Sequence, residues 1–409
     1  MPVHESIFPY CAFYLLGYVI FLSVTIAGVW SWGGIMVGFG VIPLMDLIIS
    51  EDTTNPTKQQ ARHLSTQLRF KLVPALWVPV QFWLVMYCAS KFAEDGHGIA
   101  EYIGMLLSSG ALFGGIGINV AHELIHKSVF WERSLGRLLL ISVCYGHWAD
   151  EHLYGHHRLV ATPWDPATSN LNQSVYSFWW QSVTGTWRQA CAMERYRLRN
   201  KSQLRQILEN MVVWSCLGSL CFAVVIYLMY GWGGLLYFCL QAPVSLSMLE
   251  FVNYIEHYGL RRELRPHAPS KKQLQKLHDQ GNLAAVGGAY EKVSPFHSWN
   301  AGQTVSNYFL LKLQRHSDHH ANGHRRYQTL RSFIASPQLP TGYSGCILLS
   351  LIPPLWFRIM NPIVTESRNR SKRIKKTGTT KLLITILITL INYQTLNTYK
   401  YSYTHTHTH

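Results

Sequence analysis

Residues 233–260 read GGLLYFCLQAPVSLSMLEFVNYIEHYGL, and this stretch joins the two features that decide the fold. Its apolar part, residues 233–254, carries one charged side chain, Glu250, and is long enough to cross the hydrocarbon core of a bilayer as an α-helix. The run then ends on Glu256 and His257. The stretch therefore predicts a membrane helix that presents polar side chains at one end.

Five other apolar runs of spanning length precede this one, at residues 7–30, 33–49, 72–90, 102–121 and 211–230. Trp30, Trp32, Tyr230 and Trp232 lie at the short links between paired runs, where amphipathic aromatic rings favour the headgroup layer of a membrane. The sequence thus predicts an all-α integral membrane protein with six transmembrane helices and a cytoplasmic, histidine-rich cap.

The charges of the connecting segments predict the orientation of these helices. The connection after the second run is basic between Lys58 and Lys71, whereas the next one is acidic, with Glu94, Asp95 and Glu101. Basic loops stay in the cytoplasm, so the histidine-rich segments are expected on that side. The predicted organisation is helices one to four in 7–121, a cytoplasmic segment in 122–210, helices five and six in 211–256, a second cytoplasmic segment in 257–362 and a disordered tail in 363–409.

The composition excludes several classes of protein. Only 14% of the residues are charged and 48% are hydrophobic, which argues against an ordinary soluble globule. The 14 Trp, 22 Tyr and 17 Phe exclude a disordered chain, because so much aromatic surface must be buried or interfacial. The net charge of +15 is concentrated between and after the apolar runs, which indicates cytoplasmic loops rather than binding of nucleic acid. The eight cysteines show no C-x-x-C spacing and are expected to be reduced.

Three short windows concentrate the histidines. They are His122-Glu-Leu-Ile-His126, His152-Leu-Tyr-Gly-His156-His157 and His316-Ser-Asp-His319-His320. Each contains a pair spaced by four residues, which on an α-helix places both imidazoles on one face within reach of a common metal. His257 is a ninth candidate, and the predicted topology brings all four groups to the cytoplasmic ends of helices four and six. A single histidine is usually just a hydrogen-bonded side chain, but clusters with this spacing predict a metal centre.

The number of imidazoles indicates the metal. Zinc normally takes four ligands, so nine imidazoles are too many for one such ion. Two ions would have four or five nitrogen donors each, leaving open positions that suit iron and dioxygen. Soluble di-iron bundles use Glu and Glu-x-x-His ligands instead, so the pattern favours a membrane oxygenase. The predicted iron ligands are His122, His126, His152, His156, His157, His257, His316, His319 and His320.

Several carboxylates accompany the histidines. Glu256 and Asp165 are predicted to accept hydrogen bonds from the outer ring nitrogens of ligands, because a ligating imidazole usually donates its second N–H to a carboxylate or carbonyl. Glu123, Glu151 and Asp318 also adjoin ligands. An alternative to hydrogen bonding with a ligand, for these residues, is helix capping or pairing with a nearby arginine.

These motifs resemble those of the integral-membrane alkane 1-monooxygenases, or alkane hydroxylases, which belong to the membrane di-iron superfamily of fatty acid desaturases and hydroxylases. Residues 122–127, 151–157 and 313–321 are similar to the three histidine boxes of that family, and residues 253–260 are similar to the motif that separates alkane hydroxylases from desaturases. Residues 161–169, 297–300 and 339–343 also agree, and the resemblance covers roughly residues 10–362.

The resemblance implies a specific activity. A nine-histidine di-iron centre would insert one atom of O2 into the terminal C–H bond of a linear alkane, giving a primary alcohol. The electrons would come from a rubredoxin-type donor and its NAD(P)H-dependent reductase. The bilayer would supply the substrate, and no nucleic acid is expected as a partner.

The substrate sets a further expectation. A terminal methyl group carries neither charge nor hydrogen-bonding atoms, so only shape and apolar burial can orient it. We therefore expect a narrow apolar channel between the helices that opens to lipid and ends beneath His122, His126 and His257. Gly38 either leaves room in that channel for a longer chain or lets two helices pack closely.

The basic loops are expected to contact anionic headgroups and an acidic electron donor, with Arg261 and Arg262 as candidates for docking. Two alternatives to alkane oxidation remain. One is a related fatty-acyl or aromatic-side-chain hydroxylase, or a desaturase, of the same superfamily. The other is a divalent-metal transporter, whose site would normally lie near the middle of the membrane rather than at one face.

Overall fold

The computed structural model describes residues 6–376, and regular structure in that part is almost entirely helical. Extended pairing there is limited to three isolated bridges. The α-helices are α1 (Phe13–Ile26), α2 (Gly33–Met36), α3 (Ile42–Ile48), α4 (Lys58–Thr66), α5 (Leu68–Phe92), α6 (Ile99–Leu112), α7 (Asn119–Ile125), α8 (Phe130–Ile141), α9 (Trp148–Glu151), α10 (His157–Leu159), α11 (Val175–Leu198), α12 (Gln203–Leu208), α13 (Met211–His257), α14 (Lys271–Asp279), α15 (Leu283–Gly288), α16 (Thr304–Phe309), α17 (His316–Ala321), α18 (Tyr343–Ser350) and α19 (Pro353–Lys376).

Short helical turns of other types join some of these helices. There are 3-10 helices at Phe8–Cys11, Gly28–Trp32 and Tyr327–Thr329, and π-helical turns at Val37–Val41, Phe113–Ile118 and His152–His156. The first two π turns lie inside long apolar helical segments. The third carries the second histidine window, and π turns of this kind are frequent at functional sites.

Five helical segments are long and apolar enough to cross a membrane: Phe8–Ile26, Gly28–Ile48, Leu68–Phe92, Ile99–Ile125 and Met211–His257. They contain the six predicted apolar runs to within a few residues at each end. Large apolar side chains on these segments point outwards, and Leu76, Leu220 and Leu228 are more than half exposed. An apolar outer surface of this kind suits contact with lipid.

The fifth segment, α13, reverses direction at Gly231. Gly231 has φ 64° and ψ −156°, outside the helical region, and glycine adopts such angles without a steric penalty. The rings of Phe222 and Phe238 lie 5.3 Å apart, although 16 residues of straight helix would separate them by about 24 Å. The two halves of α13 therefore run back along each other.

Buried polar contacts hold the helices together beneath the histidines. Gln81 of α5 donates to the Ser142 hydroxyl at 2.8 Å, and Gln241 of α13 donates to the Ser142 carbonyl at 3.0 Å. Trp77 Nε1 in turn donates to Gln81 Oε1 at 2.8 Å. Because polar side chains buried in an apolar bundle must find partners, these contacts fix the relative position of α5, the segment after α8, and α13.

The described part of the chain divides into two compact units, residues 6–361 and 362–376. In the second unit, the described residues up to Lys376 are helical, and Arg370 pairs with Glu366 at 3.0 Å. This corrects the expectation of a disordered tail for residues 363–376. The rest of that prediction, including the terminal histidine repeat, concerns residues outside the described part of the chain.

Candidate metal centre

The first histidine window follows directly from a candidate membrane span. α6 continues through the π turn Phe113–Ile118 into α7, which carries His122 and ends just before His126. Both side chains are buried, and their rings lie 4.9 Å apart in a T-shaped arrangement. The four-residue spacing on a helix thus brings these two imidazoles together, as the sequence predicted.

The second window is shaped by its π turn. α9 passes into the turn His152–His156, and α10 follows. A π turn pairs residues five apart instead of four, so His152 meets His157, with their Nε2 atoms 3.1 Å apart. His156 points to a different group of imidazoles. The expectation that His152 and His156 reach a common metal is therefore wrong.

The third window lies on the short helix α17, and His257 is the last residue of α13. His316 and His320, four residues apart, meet at 2.9 Å between their Nε2 atoms, and His257 Nε2 lies 3.3 Å from His316 Nε2. His319 points away from this group and places its Nε2 3.1 Å from that of His157. The window thus contributes imidazoles to two separate groups.

All nine predicted ligands converge into two groups, which we call the five-histidine group and the four-histidine group. Within each group, every residue offers a ligand atom within 4.8 Å of the others. The five-histidine group consists of His122, His126, His152, His157 and His319, and the four-histidine group consists of His156, His257, His316 and His320. We refer to the nine side chains together as the histidine layer.

The spacing within the histidine layer fits metal ligation. Six contacts within the two groups join Nε2 atoms at 2.9–3.3 Å. For metal–nitrogen bonds of about 2.1 Å, two ligands at right angles place their nitrogens about 3.0 Å apart. Unprotonated Nε2 atoms repel one another at this distance unless a cation lies between them. The residues present therefore fit two metal ions, one in each group.

Burial also favours the protonation state that metals need. It lowers the pKa well below the ordinary value for His152, His157, His316, His319 and His320, and the neighbouring imidazoles lower it further. These side chains are thus neutral near pH 7. A neutral imidazole has a free lone pair for a metal ion, so no proton has to be removed before binding.

Asp165 lies behind the four-histidine group. Its Oδ2 is 3.0 Å from Nδ1 of His156, the ring nitrogen that faces away from the other imidazoles. Thr168 and the backbone of Ala167 donate hydrogen bonds to the same carboxylate. A carboxylate at this position would orient His156 through its second nitrogen if His156 binds a metal ion, so the role predicted for Asp165 stays a prediction that the contact supports.

Glu256 is placed differently from this prediction. Its Oε2 lies 3.1 Å from Nε2 of His316, the nitrogen that faces the other imidazoles of the four-histidine group. Its Oε1 accepts a hydrogen bond of 2.7 Å from the hydroxyl of Tyr343. The side chain therefore lies on the inner side of the group, and not behind it as expected.

The other carboxylates near the histidine windows contact side chains outside the histidine layer. Glu123 pairs with Lys127 at 2.7 Å, and Asp318 pairs with Arg331 at 2.7 Å. Glu151 is fully buried and accepts a hydrogen bond of 2.7 Å from Gln189. Asp318 thus pairs with an arginine, as the alternative expected, whereas Glu123 pairs with a lysine.

A small apolar cavity of about 90 Å³ lies between the candidate membrane helices. We call it the apolar cavity; among its lining residues are Leu16, Phe39, Leu112, Ile116 and Phe309. A second cavity of about 30 Å³, the inner cavity, adjoins it and shares Gly115, Val252, Leu310 and Tyr343 with it. The inner cavity reaches His122, His152 and His316. Of the three histidines expected at the end of a channel, His122 is present, whereas His126 and His257 are replaced by His152 and His316.

Two glycines of the second span differ in their surroundings. A Cβ on Gly34 would lie 2.4 Å from Ile20 and 2.8 Å from Ser108, so Gly34 permits close helix packing. A Cβ on Gly38 would meet nothing within 4 Å, and Gly38 lines the apolar cavity. The packing explanation thus applies to Gly34, while Gly38 borders open space.

The structure also corrects the expected docking surface. Arg262 is buried and donates hydrogen bonds to the carbonyls of Glu291 and Arg158, so it braces loops of the protein. Arg261 contacts Asn170. A basic surface remains on α14, where Lys271, Lys272 and Lys276 are exposed.

Sequence reasoning missed two aromatic residues at the site. Tyr343 contacts Glu256 from a position 87 residues away, and the ring of Trp148 is stacked on His152 with 4.3 Å between centroids. The stretch 339–343 did match the family, so a signal for Tyr343 was present. Its contact with Glu256 depends on tertiary packing, which the spacing along the chain does not contain.

Comparison with known proteins identifies the family. The fatty acid desaturase family model matches residues 100–349. Alkane 1-monooxygenase 2 of Alcanivorax borkumensis is 37% identical over 340 residues, covering 82% of this chain and 83% of the relative. Alkane 1-monooxygenase 1 of Pseudomonas aeruginosa is 38% identical over 337 residues, covering 82% and 83%. The chain belongs to the alkane 1-monooxygenase family.

This family member is therefore an oxygen-dependent monooxygenase and a multi-pass membrane protein with a candidate metal centre. The xylene/toluene monooxygenase hydroxylase component of Pseudomonas putida is a more distant relative, 25% identical over 334 residues, covering 81% of this chain and 82% of the relative. Family membership excludes the alternative of a divalent-metal transporter.

Proposed function

We propose that this protein is a di-iron monooxygenase that hydroxylates the terminal methyl group of linear alkanes to primary alcohols, using O2 and electrons from a rubredoxin-type donor. The observation that carries this proposal is the pair of adjoining apolar cavities, one between the membrane helices and the other reaching the histidine layer. The relatives that are 37% and 38% identical are named as alkane 1-monooxygenases, which supports the same substrate class.

The histidine layer would hold two iron ions, one in each of its groups. Nine neutral nitrogen donors divided five and four leave positions open on first-row metals, and iron is the one suited to oxygen chemistry. The bound ions would supply the activation of dioxygen. The protein contributes a fixed set of buried imidazoles and an apolar chamber beneath them, which keeps bulk water away from the reacting methyl group.

The lining of the cavities supports a hydrocarbon rather than a charged substrate. The residues around the apolar cavity include no Lys, Arg or His that could pair with the carboxylate of a free fatty acid. Since only the far end of the space reaches the imidazoles, a chain that enters between the helices would present its terminal carbon first.

We further propose six transmembrane helices with the histidine layer on the cytoplasmic side. The reversal at Gly231 allows α13 to cross the membrane twice. The basic connection between the second and third spans, which begins near Lys58, supports the orientation. Because the number of spans is even, the segment before the first span and the segment after the last span would both lie in the cytoplasm.

The exposed lysines of α14 are our proposed contact for the electron donor. His278 of α14 lies 3.2 Å from Gln189, which in turn donates to Glu151, the neighbour of His152. The ring of Trp164, which precedes Asp165, lies 5.4 Å from that of His278 at an interplanar angle of 35°. The basic helix therefore adjoins the segments that carry the second window, and its charge suits an acidic partner.

Product analysis tests the proposal. The iron-loaded protein in lipid nanodiscs, supplied with rubredoxin, its reductase, NADH and 18O2, should convert octane to 1-octanol that carries one labelled oxygen. The His316→Ala variant serves as the inactive control. Conversion of xylene or a free fatty acid in place of octane, or formation of an alkene, would contradict the assignment and indicate a sister activity.

A further inference from the structure

Two glutamates of α13, six residues apart, have nearly the same anchoring but different surroundings. Tyr145 donates to Glu250 Oε1 at 2.8 Å, and Tyr343 donates to Glu256 Oε1 at 2.7 Å. Both glutamates are buried, 0% and 2% exposed. The difference lies in the second oxygen, and it indicates that only one of the two carboxylates takes part in the metal centre.

The second oxygen of Glu250 accepts a hydrogen bond of 3.2 Å from Asn253, a neighbour on the same helix. That of Glu256 lies 3.1 Å from Nε2 of His316. This nitrogen also lies 2.9 Å from His320 Nε2 and 3.3 Å from His257 Nε2, so the carboxylate oxygen adjoins the converging donor atoms of the four-histidine group at His316.

The donor count and the charge both favour a role for this oxygen. One group has five imidazoles and the other has four, and one carboxylate oxygen would give each ion five protein donors. Nine neutral imidazoles leave the full charge of two divalent ions uncompensated in a buried site, which is costly unless an anion lies nearby. Asp165 lies behind His156, whereas the carboxylate of Glu256, ionised beside a bound metal ion, would be such an anion on the inner side of the group. Glu256 also lines the inner cavity.

We propose that Glu256 is a direct ligand, through Oε2, of the metal ion held by His156, His257, His316 and His320. This inference rests on the proposed function in one respect: it assumes that two metal ions occupy the histidine layer. Tyr343 is then a positioning residue, because its hydroxyl fixes Oε1 and leaves Oε2 directed at the group. The two ions would differ in ligation, with one site all nitrogen and the other containing a carboxylate.

The experiment compares Glu256→Gln and Glu256→Ala with Glu250→Gln as the matched control. Each protein is purified in detergent and loaded anaerobically with Fe(II), and the release of iron to a chelator is followed over time. We expect Glu256→Gln to release one of its two ions at least about tenfold faster than the wild type, while the other ion is unaffected. Glu250→Gln should release both ions at the wild-type rates.

A cobalt measurement separates ligation from mere support of His316. The d–d absorption of Co(II) strengthens when a site falls from five to four ligands, because geometry sets its intensity. Cobalt-loaded Glu256→Ala should show this change, and added acetate should reverse it by filling the vacant position. The Glu256→Asp variant, which keeps a carboxylate, should retain both ions.

Three results would overturn the proposal. Wild-type release of both ions together with an unchanged cobalt spectrum would reduce the Glu256–His316 contact to an ordinary ion pair. Equal acceleration of both ions would give Glu256 a general structural role. A cobalt spectrum that acetate does not restore would exclude direct ligation. None of these measurements needs alkane turnover, so a wild-type protein that binds two ions but leaves octane untouched would refute the proposed function alone.

Discussion

The histidine layer and the apolar cavity below it are built on opposite principles. The layer is defined by side chains that are present, buried and fixed by their neighbours, such as His156 against Asp165. The cavity depends on space that small residues leave free. At Gly38, for example, an added Cβ would meet no atom within 4 Å. Changes in the layer should therefore abolish the chemistry, whereas changes in the cavity should redirect it.

The strongest test of this contrast is the removal of a ligand. His316→Ala takes one imidazole from the four-histidine group, where two other Nε2 atoms lie within 3.3 Å. We expect that group to lose its ion and kcat/KM for octane to fall at least about 1,000-fold, since a metal contributes several kcal/mol to catalysis. Iron content and product formation would be measured on the same sample. Full turnover with one iron per chain would show that the four-histidine group is dispensable.

Removing a supporting carboxylate should have a smaller effect. Asp165→Asn keeps the shape of the side chain but weakens the hydrogen bond to His156 Nδ1. Loss of such a partner typically costs about 10- to 100-fold in metal affinity or activity. Competition with a chelator would measure the affinity, and the five-histidine group provides the internal control. If both groups weakened to the same degree, Asp165 would support the local fold and not one ligand.

A change in the cavity should alter the product distribution and leave the metal centre intact. Gly38→Trp would place an indole in the apolar cavity, so we expect the preference for long alkanes over octane to drop about tenfold. A mixture of octane and hexadecane, analysed by gas chromatography, reports the ratio directly. Gly40→Trp is a useful control, because Gly40 also has free space but does not line the cavity. An unchanged ratio of hexadecane to octane products in Gly38→Trp would show that Gly38 does not line the substrate path.

The smallest effect is expected at the surface. Reversing the charges of Lys271 and Lys272 to Glu should slow turnover with an acidic rubredoxin about three- to tenfold at low salt, because complementary charge accelerates encounter. Turnover with a small chemical reductant should not change. Equal losses with both reductants would indicate damage to the protein, and no loss with either would exclude α14 as the docking surface.

The sequence predicted the histidine layer better than the cavity, and the reason is physical. Metal ligands are recognisable by residue type and local spacing, so the nine histidines could be named and their convergence expected. The four-residue spacing gave a wrong prediction where the backbone is not α-helical. The π turn at His152–His156 places His152 in the five-histidine group and His156 in the four-histidine group.

Contacts between distant parts of the chain could not be predicted from the sequence. Glu256 meets Tyr343 and His316 only because α13, α17 and α18 come together, and its orientation depends on that packing. Arg262 looked like part of a basic surface, but loops from elsewhere in the chain enclose it. The end of the cavity at His152 and His316, in place of His126 and His257, likewise depends on how helices pack.

The metal stoichiometry of the purified protein tests the central claim most directly. Protein loaded anaerobically with iron, freed of loosely bound metal and examined by elemental analysis and Mössbauer spectroscopy should contain two ferrous ions per chain in two nitrogen-rich environments. One of these should disappear in His316→Ala. A fully loaded sample that holds a single ion, or one that retains zinc in preference to iron, would contradict the account.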